Sequence, residues 1–199
     1  MKPIIFVIMG VKGRERLSGS LQRQIITSGG ACRVFLDSGY SGHRIAAQNA
    51  WENAATLGDP VVMLEDDIII CDGFVELANA AIAARPDELI SGFVMSKKVA
   101  VARAKGFSWG VASSLAWNQM VYIPMSMIED VVRFSRESVA SECKYWDVTM
   151  TLYAKLSTRR FFFTVPCLVQ HMNSQSTIGN HPLLFGRPRI AEGFEQSPG

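Results

Sequence analysis

Between Ile4 and Met95 the chain alternates short apolar runs with segments of helical period, and this alternation restricts its fold more than any other feature. Ile4–Met9 is a continuous apolar run rich in β-branched residues, as expected of a strand buried on both faces. Gly10 breaks it, and Leu17, Leu21 and Ile25 then recur at helical spacing until Gly29-Gly30 stops the helix. Cys32–Leu36 is a second strand, ending at Asp37. Ser41 caps a helix over about His43–Leu57, whose inner stripe of Ala46, Ala50, Ala54 and Leu57 is small enough to pack close to a sheet. Val61–Leu64 is the third strand, and Ile68–Ile70 continues it after three acidic residues. Asp72 caps a helix with the stripe Phe74, Leu77, Ala78, Ala81 and Ile82, and Leu89–Met95 reads as a strand. This β-α-β-α-β order predicts an α/β domain with a mostly parallel central sheet flanked by helices.

Beyond Met95 the pattern weakens. Residues 96–123 mix glycine, serine and two tryptophans and receive no assignment. Pro124 opens a helix through Phe134 with Ile128, Val131 and Val132 inward. Asp147–Leu156 is helical with Thr149, Leu152, Tyr153 and Leu156 on one face, and Phe161–Val165 is a strand. A chain of 199 residues fits one core better than two, and 48% hydrophobic residues are enough to build it. The expected organisation is one domain over 1–186 with a loose tail over 187–199.

A formal net charge of +2 gives no strong bias toward polyanions or membranes, and no apolar stretch approaches bilayer length. The run Met1–Met9 reads as a buried strand, since Pro3 opens it and no small-residue cleavage site follows. Cys32, Cys71, Cys143 and Cys167 show no paired spacing and read as reduced thiols, which suits a cytoplasmic protein.

Chemistry concentrates in Glu65-Asp66-Asp67, which interrupts what is otherwise a core strand. Side-by-side ionised carboxylates lose hydration and repel one another when buried. A divalent cation removes both penalties, and anionic oxygens suit Mg2+ or Mn2+. Strand alternation puts Glu65 and Asp67 on one face and Asp66 on the other. The competing reading is a strand that ends in a solvated acidic turn.

Leu64-Glu65-Asp66-Asp67 resembles the DXD-type metal motif of glycosyltransferases with the A-type (GT-A) fold. Asp37-Ser38-Gly39 is similar to the segment that receives the donor nucleoside in those enzymes, and Arg44 and Asn49 lie in the helix leading to the acidic triplet. The likeness covers residues 4–95 well and the rest loosely. It implies a single Rossmann-like GT-A domain, with a donor-binding half over about 1–95 and an acceptor-binding half over about 96–186. It further implies that Asp67 binds Mn2+ or Mg2+, with Glu65 and Asp66 on the metal, the ribose or the sugar of a nucleotide-sugar, a UDP-sugar before others. Gly10, Val11 and Arg14 then border the nucleotide. Without the resemblance, Arg14 reads equally as a solvated cation, Asp37 as a turn residue, and Arg44 and Asn49 as exposed helix positions.

In the second half, His171 follows the last apolar run, where a late histidine completes the metal shell in A-type transferases; a lone histidine is otherwise an ordinary polar residue. Asp147 resembles the base that inverting members place beside the acceptor hydroxyl. Its place at a helix amino terminus also suits a cap and predicts a lowered pKa. Glu142 is the reserve base. Trp109, Gly110 and Trp117 lie where acceptor loops occur in this fold, although both tryptophans also suit a core. The acceptor class stays open among glycans and other macromolecules, a hydroxylated DNA base included. Two rivals remain: a sugar nucleotidyltransferase, echoed faintly by Gly10-Val-Lys12-Gly13-Arg14, and a non-catalytic module of the same fold.

Overall fold

The computed structural model describes residues 2–38, 42–115, 118–137, 140, 142–172, 183, 184, 187, 188, 191 and 194. The first half runs β1 (Ile5–Val11), α1 (Glu15–Thr27), β2 (Ala31–Asp37), α2 (His43–Ala55), β3 (Val61–Glu65), β4 (Ile68–Ile70), α3 (Phe74–Ala84) and β5 (Leu89–Ser91). The second half runs α4 (Lys97–Ala104), β6 (Trp109–Ala112), β7 (Met120–Ile123), α5 (Met125–Ser135), α6 (Trp146–Leu156), β8 (Phe161–Thr164) and β9 (Val169–His171). Two short strands follow, β10 (Leu183–Leu184) and β11 (Arg187–Pro188).

Seven strands form the central sheet in the order β2-β1-β3-β7-β5-β8-β6. Strands β2, β1, β3, β5 and β8 point one way, while β7 and the edge strand β6 are reversed. The sheet is therefore mostly parallel, as the alternation of strand and helix signals predicts, with β7 inserted antiparallel between β3 and β5.

Strand alternation divides the core into two layers. Phe6, Ile8, Val62 and Leu64 pack against Leu21 and Ile25 of α1 and Phe74, Ala78 and Ile82 of α3. On the opposite face, Val7, Met9, Val61 and Met63 meet Ala47, Ala50 and Trp51 of α2, with Ile128 of α5 and Trp146 of α6 beside them. Thus α1 and α2 cover opposite faces of β1. The chain leaves β1 toward β2 on one side and returns as β3 on the other, which creates a topological switch point at the carboxyl ends of β1 and β3.

Several expectations need correction. β4 does not continue β3 in the main sheet; it pairs antiparallel with β9, with Ile68 opposite His171 and Ile70 opposite Val169. Gly73, in the left-handed region, holds the cap position of α3, one residue after the expected Asp72. The buried stripe of that helix includes Val75, whereas Leu77 is 45% exposed, one step around the helix from the packed face. On α6, Trp146, Met150 and Ala154 are buried and Leu156 is exposed. β5 stops at Ser91, and the unassigned stretch after it holds α4, β6 and β7. The segment after 187 is not wholly loose, because Ala191 is buried and its N–H donates to Gln170 Oε1 at 2.8 Å. Ser41, expected to cap α2, lies outside the described residues. All four cysteines are free thiols. Among the described residues, no helix is long and apolar enough to cross a membrane.

Candidate functional site at the carboxyl edge of β1 and β3

β3 carries Glu65 to the carboxyl edge of the sheet, and the chain bends there before β4 begins. Because alternation holds only within a strand, the expected grouping of Glu65 with Asp67 does not survive the bend. Asp66 and Asp67 instead converge on Arg14, the residue before α1. Arg14 Nη2 lies 3.1 Å from Asp66 Oδ1 and 3.2 Å from Asp67 Oδ2. Arg14 is thus an ion-paired residue of the site and not a solvated cation. The ladder between β4 and β9 brings His171 to the same corner: Met172 N–H donates to the Asp67 carbonyl at 2.9 Å, and His171 Nε2 faces Asp67 Oδ2 at 3.4 Å. His171 is 1% exposed.

The two aspartates ionise very differently. Burial pushes the Asp66 carboxyl up, Arg14 opposes it, and the neighbouring charges of Asp67 and Glu65 add to the rise, leaving it at about 7. Burial also acts against ionised Asp67, but the hydrogen bond and charge of His171 and the Arg14 guanidinium outweigh it and bring it to about 2.

Asp66, Asp67 and His171 are the side chains of this corner that could face a divalent cation. Asp66 Oδ2 is buried without a hydrogen-bond partner, and a buried acceptor left unpaired is costly. Asp67 Oδ2 and His171 Nε2 already face one another. Among the described residues, no three histidine, cysteine or acidic side chains form a complete cage.

Glu65 belongs to a different network. Its Oε2 accepts from Gln119 Nε2 at 3.0 Å, and its backbone N–H donates to the Gln119 carbonyl at 3.1 Å. Its Oε1 lies 3.2 Å from His43 Nε2, while His43 Nδ1 accepts from Trp146 N–H at 3.3 Å. The second bond places the His43 proton on Nε2, where it donates to Glu65. Burial opposes a charge on His43, but the Glu65 hydrogen bond and the carboxylates of Glu65, Asp147 and Asp67 prevail, and its pKa is raised. His43 and Gln119 were not singled out from the sequence. The contacts that define their roles join residues 22 and 54 positions apart, and no local pattern marks them.

Asp147 stands in the first turn of α6, and its Oδ1 accepts from Val148 N–H at 2.9 Å. The lowered pKa expected from the helix terminus is reversed. Burial raises it, and the charge of His43 and the backbone hydrogen bonds do not fully compensate. Glu142 is exposed.

The Val11 backbone also reaches the corner, with a hydrogen bond to the Asp66 carboxylate, while the other expected residues make contacts around it. Gly10 is buried where a Cβ would lie 2.4 Å from Ser18 Oγ, so it lets α1 close on β1. Val11 stands opposite Asp37, and Lys12 N–H donates to the Asp37 carbonyl at 3.0 Å, which joins β1 to β2 at the edge. Arg44 points to α5, donating to the Ser135 carbonyl at 3.0 Å and to Gln48 at 3.2 Å. Asn49 is half-buried on α2. Trp109 and Gly110 lie on β6, four strands from β3, a separation of roughly 19 Å at the usual strand spacing. There the Arg85 guanidinium stacks on Trp109 at 5.1 Å and on Phe162 at 4.2 Å. A Cβ on Gly110 would sit 2.0 Å from Phe163 Cζ, so packing within the sheet already requires this glycine without any ligand. Trp117 lies outside the described residues.

Fold and edge together define a Rossmann-like α/β domain whose acidic corner occupies the β1–β3 switch point. Among solved structures, the chain is similar to a glycosyltransferase involved in the glycosylation of the major capsid of PBCV-1, with a TM-score of 0.55 at 11% identity over 85% of this chain and 94% of that one. A197 from STIV superposes with a TM-score of 0.54 at 13% identity over 86% and 85% of the two chains. These likenesses show a shared α/β fold. No protein-family profile and no curated protein sequence matches the chain.

Proposed function

We propose that the chain is a metal-dependent glycosyltransferase that moves a sugar from a nucleotide-sugar, a UDP-sugar foremost, to an acceptor hydroxyl. The observation that carries this reading is the meeting of Asp66, Asp67, Arg14 and His171 in one buried corner, at the switch point of the sheet. Asp67 and His171 would hold Mn2+ or Mg2+, with Asp66 beside them. When bound, such a cation supplies positive charge to the leaving diphosphate.

The remaining chemistry belongs to side chains. Arg14 brings a second cation to the edge where a diphosphate would lie, and a guanidinium suits phosphate oxygens in geometry as well as charge. Asp147 is the base candidate, because a carboxyl raised by burial accepts a proton more readily than a solvated one. His43, fixed by Trp146 N–H, keeps Glu65 directed toward Gln119 and the start of α6, and so positions the wall between the acidic corner and Asp147.

The test is hydrolysis of a panel of nucleotide-sugars with Mn2+, followed by release of the nucleoside diphosphate. The wild-type protein should turn over at least one donor, and Asp67→Asn should lose about 100-fold or more of that rate, the scale of deleting one preorganised charge-stabilising group. Turnover unchanged in Asp67→Asn or in excess chelator refutes the metal-dependent reading.

A further inference from the structure

We infer that Arg14 is an exchangeable counter-ion, holding the cation position of the acidic corner in the unliganded chain and releasing it to metal only when a nucleoside diphosphate arrives to receive the guanidinium. This rests on the metal-dependent reading above and adds an order to it: metal and donor bind together, not metal first.

One nitrogen, Arg14 Nη2, serves both Asp66 and Asp67. The guanidinium already offsets at least half of the negative charge that the two carboxyls can carry. A divalent cation entering beside Arg14 would leave a net positive charge among closely packed groups, where like charges repel strongly. If Arg14 left for water alone, two charge-assisted hydrogen bonds would be lost without replacement. A diphosphate resolves both difficulties, since its oxygens can accept from the guanidinium and share the incoming cation.

Backbone anchoring would confine this exchange to the Arg14 side chain. The Arg14 backbone is fixed: its N–H donates to the Val11 carbonyl at 2.9 Å, and its carbonyl accepts from Leu17 at 2.9 Å and Ser18 at 3.3 Å. Its side chain is 15% exposed, against 4% for Asp66, so it opens toward solvent while the carboxylates stay covered. Asp66 Oδ2, buried without a hydrogen-bond partner, is an acceptor left over for whatever replaces it.

Free Mn2+ is measured by electron paramagnetic resonance, with and without uridine diphosphate, in wild-type protein and Arg14→Gln. Without nucleotide, Arg14→Gln should bind Mn2+ about tenfold more tightly than wild type, and with Mn2+ present it should bind uridine diphosphate about tenfold more weakly, on the scale of one charged hydrogen bond. Equal Mn2+ affinities without nucleotide would overturn the exchange and leave the metal site standing. No Mn2+ uptake by either protein, with or without uridine diphosphate, would overturn the metal reading itself. Should Arg14→Gln fail to fold, Arg14→Lys provides the same test. A compact ammonium lacks the guanidinium fork, and Mn2+ should bind about threefold more tightly than in wild type, with unchanged affinity again refuting the exchange.

Discussion

Replacing Gly110 by alanine tests whether this glycine serves packing or ligand approach. Its φ is not positive, so the backbone tolerates alanine and only space opposes it. The new Cβ would lie 2.0, 2.3 and 2.8 Å from Cζ, Cε2 and Cε1 of Phe163. That ring is 1% exposed and belongs to the core layer beneath α1 and α3, so it must withdraw by more than an ångström into packed neighbours. Overpacking of this kind costs about 1–3 kcal/mol, and the severity of the overlap places Gly110→Ala near 3. For a domain of this size that is a fall in Tm of roughly 6–12 °C. Urea and thermal unfolding of Gly110→Ala, Phe163→Leu and the double variant form the assay. With the ring removed, Gly110→Ala should cost less than about 0.5 kcal/mol, so the cycle should be non-additive by roughly 2 kcal/mol. A Gly110→Ala protein melting within a degree of wild type, or additive effects in the cycle, would refute the packing account.

Two further outcomes follow from the acidic corner. The Asp66 carboxyl, raised from 3.8 to about 7, binds its proton more tightly in the folded chain; stability is therefore greatest below about pH 4, declines as pH rises to 7 and levels above it, by at most about 4 kcal/mol. Asp67, lowered to about 2, acts oppositely and only below about pH 4, so metal-free unfolding titrations should show a maximum near that pH, and a slope unchanged in Asp66→Asn would count against the assignment. His43→Ala removes the link from Glu65 to the Trp146 backbone and should cost about 2 kcal/mol in urea unfolding at neutral pH; a loss under 0.5 would show that the link holds nothing in place.

The strands and helices of the first half were legible because their signal is periodic and local. A β-branched run such as Ile4–Met9 has few other uses, and the small stripe of Ala46, Ala50 and Ala54 does lie buried on the sheet. The acidic triplet was legible as an anomaly, since three carboxylates within an apolar run need an explanation. What the sequence hides is partnership. Nothing near Asp66 announces that Arg14 will neutralise it, and nothing near Ile68–Ile70 announces that this run will leave the sheet of β3 to pair with a strand from the end of the domain. β7 looks like any other buried strand, and its antiparallel insertion depends on tertiary pairing. The pKa of Asp147 departs from the helix-terminus expectation for a related reason: the helix terminus is visible in one dimension, whereas the burial that outweighs it is not.

The pairing of β4 with β9 has a consequence for how the molecule comes into being. During synthesis, Arg14, Asp66 and Asp67 emerge from the ribosome first, while His171 is delivered only after roughly half the chain has followed, once the last core strand docks. The corner works as a buckle whose tongue is made last. On the function proposed above, a ligand held by both Asp67 and His171 would be grasped only once β9 has joined β4, and it would fasten the two halves of the chain together.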